Sequence, residues 1–257
     1  MKRKDDVMTE LMSPEGRRAL SAEFLGTLLF LVFSAGTAAV TGGLLAERMT
    51  SARLLVVALA NGVAYAVFVA AALPISGGHL NPAVTFAAAL SKQIQPARAV
   101  AYGLAQCAGA VTGSLLLILM IPSSLQGSLG ADTLSTRMTV GGGLVTEIVL
   151  TAVLVGAVLS AVRGVSPIGL AVVGLVVVLG QLLGAPLTGA SMNPARSFGP
   201  ALVSGLWKDQ WIFWIGPFVG AAVALFFHDV CFSAAGKGTR AFAEPNHSPK
   251  TAAARSF

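Results

Sequence analysis

Six long apolar runs dominate the chain, at roughly residues 20 to 40, 54 to 73, 99 to 121, 144 to 162, 168 to 187 and 210 to 231, each ending near Gly, Pro or a charged residue. About 20 mostly apolar residues suffice for a helix to cross the hydrocarbon core of a bilayer, so the pattern predicts six spanning helices. The first run follows a basic start (Lys2, Arg3, Lys4, Arg17, Arg18), as the core of a secretory signal does, yet it is too long for one and carries Glu23. It is expected to stay as an anchor.

Polar residues inside this apolar background recur in a fixed order. Ser76 to Phe86 reads SGGHLNPAVTF and Thr188 to Phe198 reads TGASMNPARSF, a gapless match in which Asn81 and Asn193 stand 112 positions apart. A weaker match sets Ala22, Glu23 and Thr27 against Thr146, Glu147 and Thr151. The chain reads as a tandem duplication, with a cytoplasmic N-terminal segment over 1–19, a first repeat over 20–121, an inter-repeat loop over 122–140, a second repeat over 141–232 and a tail over 233–257. The tail mixes Gly, Pro, Lys and Ala without periodicity and is expected to be disordered at the cytoplasmic face. Each repeat holds three spans, an odd number, so the second enters the membrane from the opposite side.

Both Asn-Pro-Ala tripeptides (Asn81, Pro82, Ala83 and Asn193, Pro194, Ala195) read as helix starts, because Asn is among the best N-caps and Pro suits the first helical position. The helices they open, over 82–91 and 194–204, are too short to cross a bilayer. Folded back as re-entrant half-helices, they would meet tip to tip near the midplane with free amide groups aimed at a pore. Irregular backbone at that depth is tolerated only where it is buried in protein or lines a wet cavity. Gly77, Gly78, His79, Thr188 and Gly189 suit such a loop, whose carbonyls can then face the cavity.

With 55% hydrophobic and only 11% charged residues, the composition excludes a soluble domain. Twelve of the 17 basic residues fall on one side if the N-terminus is cytoplasmic: the five at the start, Lys92, Arg98, Arg163, Lys237, Arg240, Lys250 and Arg255. The positive-inside rule then puts both termini in the cytoplasm. The net charge of +6 is read as this orientation signal and as attraction to anionic headgroups, and no nucleic-acid partner is implied.

Cys107 and Cys231 lie in or at the edge of spans without metal-ligand spacing, and His79, His228 and His247 are scattered, so no enzymatic, metal or cofactor chemistry is assembled at this level. Arg196 is the sharpest candidate. It occupies the third position of the second half-helix, where the helix dipole disfavours a cation, and its counterpart in the first repeat is Val84. Glu23 and Glu147, repeat-related acids within spans, are expected to brace the re-entrant loops by accepting backbone hydrogen bonds, with a proton relay as the alternative. Gly109 with Gly113, and Gly216 with Gly220, have the spacing that lets helices approach closely.

These residues resemble one family closely, the aquaporins or major intrinsic proteins, from about residue 20 to 232. The likeness rests on SGGHLNPAVTF, on TGASMNPARSFGPAL from Thr188 to Leu202, on WIFWIGPFVG from Trp211 to Gly220, on AQCAG from Ala105 to Gly109, and on the two Glu residues. It implies an all-α membrane protein with six transmembrane helices and two re-entrant half-helices in inverted three-helix repeats, forming a right-handed bundle with a pore in each subunit of a homotetramer. It also implies a passive water channel of the plasma (inner) membrane that excludes protons and ions and needs no cofactor. Asn81 and Asn193 would donate to the permeant, and a constriction would fall on Asn61, Gln181, Ala190 and Arg196.

That constriction departs from the family's patterns. Strict water channels carry an aromatic and a His where this chain has Asn61 and Gln181, and glycerol facilitators carry aromatics. A facilitator for glycerol, urea or neutral metalloid acids is therefore the alternative, followed by an ion-coupled transporter. Ser197, Ala201, Phe213 and Trp214 are similar to the water-channel branch. Phe213 and Trp214 have a second reading, as interfacial anchors together with Trp207 and Trp211.

Overall fold

A computed structural model describes residues 4–45, 48–161 and 167–232. Their regular elements are ten helices: α1 (Lys4–Met12), α2 (Pro14–Leu44), α3 (Ser51–Ser76), α4 (Pro82–Leu90), α5 (Pro96–Met120), α6 (Ser123–Gln126), α7 (Val140–Ala161), α8 (Pro167–Thr188), α9 (Pro194–Ser204) and α10 (Ile212–Phe232). Six of them, α2, α3, α5, α7, α8 and α10, are long and apolar enough to cross a membrane. The tail beyond residue 232 lies outside the described residues, as does Arg163.

Helices α2 and α3 begin earlier than their apolar runs because their starts are written in capping residues. Ser13 accepts the Gly16 N–H at 3.0 Å with Pro14 at the first helical position, so α2 opens several residues before the apolar run. Thr50 caps α3 by accepting from Arg53 N–H at 3.2 Å. The polar first turns of a spanning helix escape a hydropathy criterion. Helix α1, within the expected N-terminal segment, is a further element that hydropathy does not report.

Each half packs alike. Helix α2 lies against α5 and α3, α7 lies against α10 and α8, and α3 against α8 joins the halves. Between helices surrounded by lipid there is little hydrophobic driving force, so close van der Waals approach has to hold them together. A Cβ at Gly109 would stand 2.3 Å from the Phe24 carbonyl oxygen of α2, and one at Gly220 would stand 2.4 Å from that of Ile148 on α7. The α3–α8 seam is likewise backbone on backbone, with Gly62 against the Gly174 carbonyl. Large apolar side chains such as Leu104, Leu119, Ile168 and Leu179 stay exposed on the outside, which suits lipid.

Half-helices α4 and α9 enter between these layers. Pro74 in the last turn of α3 and Pro186 in that of α8 stand at the repeat offset, just before each loop. The backbone of the two loops then follows one path, with positive φ at Gly77, Gly78 and Leu80 in the first and at Gly189, Ala190 and Met192 in the second. Non-glycine residues in this region are disfavoured by roughly 1–2 kcal/mol each, and such conformations persist where surroundings impose them.

Candidate functional site

The two half-helices meet at their N-termini. Asn81 Oδ1 accepts the Ala83 N–H at 2.8 Å, and Asn193 Oδ1 accepts those of Ala195 and Arg196 at 3.0 and 3.3 Å, with Pro82 and Pro194 at the first helical positions. Each capping side chain also crosses to the other loop. Asn81 Nδ2 donates to the Met192 carbonyl at 2.8 Å and Asn193 Nδ2 to the Leu80 carbonyl at 2.9 Å. The strained φ at Leu80 and Met192 belongs to the residues whose carbonyls receive these bonds. An amide nitrogen carries two hydrogens, so each crossing bond uses one of them.

Both loops hang on a buried carboxylate. Glu23, fully buried on α2, accepts from Ser76 Oγ (2.6 Å), the His79 N–H (3.0 Å), the Leu80 N–H (2.8 Å) and Gln106 Nε2 (2.7 Å). Glu147, fully buried on α7, accepts from Thr188 Oγ1 (2.7 Å) and the Ser191 and Met192 N–H groups (both 3.0 Å). Acceptors of this kind satisfy amides that a re-entrant loop cannot pair within itself, where an unpaired buried donor costs about 1–3 kcal/mol. Loop carbonyls are partly engaged as well, since Tyr65 and Tyr102 hydroxyls donate to His79 and Ser76 carbonyls at 3.1 and 3.0 Å.

The four residues singled out for the constriction are all buried. Gln181 Nε2 donates to the Ala190 carbonyl at 2.8 Å, bringing α8 and the second loop together. Asn61 Nδ2 turns to the Val57 carbonyl of its own helix at 2.9 Å. Arg196 neither reaches for headgroups nor stands alone. Its Nη1 donates to the Gly130 carbonyl at 2.9 Å and forms an ion pair with Asp132 Oδ1, and the two side chains are 3% and 1% exposed. Asp132 Oδ2 in turn accepts from Ser197 Oγ at 2.5 Å, and Ser197 meets Ser191 Oγ. Gln181 Oε1 and Arg196 Nε have no partner among the described residues.

Asp132, Gln106 and the two tyrosines are the contributors that sequence reading missed. Gln106 lies within the AQCAG motif and donates to Glu23 and to Thr85 Oγ1 (2.9 Å) at once. A signal for Asp132 did exist: a buried cation at a helix N-terminus calls for an acid, and Asp132 is the single acid between residues 122 and 140. The aromatic pair divides. Phe213 is fully buried, which overturns its anchor reading, whereas Trp207 and Trp211 are about half exposed. Trp214 packs against Phe198 and Phe218, with ring centroids 5.9 and 6.2 Å apart.

Comparison with known proteins points one way. A family model described as "Major intrinsic protein" matches residues 10–228. Aquaporin-4 of Mus musculus is 39% identical over 220 residues, covering 84% of this chain and 67% of the relative, so the chain spans about two thirds of that protein's length. Aquaporin-5 of Sus scrofa is 41% identical over 218 residues, covering 82% of this chain and 80% of the relative. Among solved structures, the X-ray structure of the aquaglyceroporin from Plasmodium falciparum superposes with a TM-score of 0.73 at 23% identity, over 83% of this chain and 95% of that one, a likeness of fold.

Proposed function

This chain belongs to the major intrinsic protein family, and from that premise we infer that it is a passive channel conducting water across a membrane in single file while excluding protons and ions. The observation that carries the reading is the tip-to-tip junction of α4 and α9, tied by the crossed bonds of Asn81 and Asn193. Each helix N-terminus carries the equivalent of about half a positive charge, so two facing tips oppose cations while their donors hold a passing oxygen. One amide hydrogen on each Asn remains for that oxygen, and a water molecule bound there by its oxygen cannot relay protons straight through.

We assign the constriction to Asn61, Gln181, Ala190 and Arg196. The unpartnered Gln181 Oε1 and Arg196 Nε offer one acceptor and one donor, a combination that suits water, which both donates and accepts. The same acceptor beside the small Ala190 favours a second reading, passage of small neutral solutes that carry O–H or N–H groups. The positive-inside count supports cytoplasmic termini, and the family resemblance supports a plasma (inner) membrane and a homotetramer of the tandem-repeat chain. Stopped-flow light scattering on proteoliposomes tests the function. Osmotic shrinkage faster than in empty vesicles is expected, and re-swelling in glycerol or urea decides the second reading. Shrinkage no faster than in empty vesicles would overturn the channel.

A further inference from the structure

We propose that Asp132 sets the ion selectivity of the outer mouth by cancelling the charge of Arg196 and fixing the position of its guanidinium; the proposal rests on the channel reading above. Three contacts seat the acid. Its Oδ1 pairs with Arg196 Nη1, its Oδ2 accepts from Ser197 Oγ at 2.5 Å, and it lies against Gly189 so closely that a Cβ there would stand 2.4 Å from Oδ1. The inter-repeat loop is thus folded onto the second re-entrant loop, one residue away from Ala190. The other buried acid on this side of the duplication, Glu147, has its oxygens occupied by Thr188, Ser191 and Met192.

Arg196 enters its position against the dipole of α9, and a buried cation is costly unless paired. Asp132 meets that cost, and the pair adds no net charge to the mouth. Arg196 then works there as a placed donor, held by Gly130 and Asp132, while rejection of cations falls to the half-helix junction. A fixed charge in a narrow, poorly solvated passage acts strongly on passing ions. Removing one member of the pair therefore exposes the other, with opposite consequences: R196V leaves a carboxylate that draws cations and protons, and D132N leaves a guanidinium that draws small anions.

The full-length chain in proteoliposomes tests this with three readings per variant: water flux by light scattering, proton flux with an entrapped pH dye, and chloride flux with a halide-sensitive dye. R196V is expected to raise proton flux by about tenfold or more, D132N to raise chloride flux, and R196V/D132N to return proton flux to within about threefold of the parent, because neither charge remains. Equal proton leaks in R196V and R196V/D132N, or a D132N variant with unaltered chloride flux, would overturn the proposal and leave Asp132 a mere loop staple. R196Q against R196Q/D132N reads the same difference if the valine variants do not reconstitute. Water flux separates the two levels of inference: a parent protein that passes no water overturns the channel reading as well, whereas uncoupled leaks in a water-conducting protein overturn only the role of Asp132.

Discussion

In the first re-entrant loop the Thr85 hydroxyl meets His79 Nδ1 at 3.1 Å and Gln106 Nε2 at 2.9 Å, a neutral cluster, whereas in the second Ser197 meets Ser191 and the carboxylate of Asp132, which holds Arg196. Everything nearer the junction is shared: the positive-φ positions, the capping Asn, the crossed amide bonds and the Glu brace. The difference teaches that duplication preserved what holds two helix tips together and let the surroundings of each tip diverge. One flank became an uncharged packing cluster and the other an ion pair reached from the inter-repeat loop. A compensating exchange marks the same divergence. Gly78 of the first loop is replaced by Ala190 in the second, and α8 makes room with Gly184, at which a Cβ would stand 2.9 Å from that of Ala190.

The strongest way to break the comparison is at its shared part. Glu23→Ala and Glu147→Ala each strand several buried donors at about 1–3 kcal/mol apiece, so both are expected to lose monodisperse protein and water flux to a similar degree. Size-exclusion profiles in detergent check this, and a well-folded variant at either position would deny the equivalence of the braces. Next in size, Gly78→Ala drives a Cβ to 2.6 Å from the Val69 carbonyl oxygen and is expected to cost about 1–3 kcal/mol, while Ala190→Gly costs about 0.5–1 kcal/mol. Thermal unfolding in detergent should rank the two in that order.

A smaller asymmetry is expected between Gly189→Ala and Gly77→Ala. Both positions have φ near +90, but the new methyl meets Asp132 at 2.4 Å in the second loop and only His79 Nε2 at 3.3 Å in the first. The second-loop variant should be the less stable and should leak ions as D132N does; indistinguishable variants would remove Asp132 from the contact. The last comparison sets the flanking hydroxyls against each other. Ser197→Ala gives up a bond to a carboxylate, about 1.5–3 kcal/mol, and Thr85→Ala gives up neutral bonds at about 0.5–1.5 kcal/mol. Melting curves that reversed this order would contradict the division into charged and neutral flanks.

Much of the site could be read from short stretches of sequence. The helix starts at Asn81 and Asn193, the repeat-related Glu23 and Glu147, and the close approach at Gly109 and Gly220 each declare themselves through local chemistry: a capping side chain, an acid in an apolar run, a residue without a Cβ. The polar-headed starts of α1 and α2 were not legible in hydropathy, because caps such as Ser13 act without any apolar signal. Positive φ at Leu80 and Met192 was hidden too. Neither residue favours that region, and only the crossed bond to its carbonyl and the brace on its N–H place it there.

By itself the sequence determined six spans, two inverted repeats and a pair of half-helix starts, since apolar length, odd span number and N-capping act over a few turns of one helix. Tertiary structure alone decided who neutralises Arg196, how each Asn divides its amide hydrogens, and that Phe213 is buried rather than interfacial. Those outcomes join residues far apart in the chain, 64 positions between Asp132 and Arg196 and 111 between Asn81 and Met192. A buried charge or carbonyl requires a partner on physical grounds, and the packing of loops around the junction selects which one it receives.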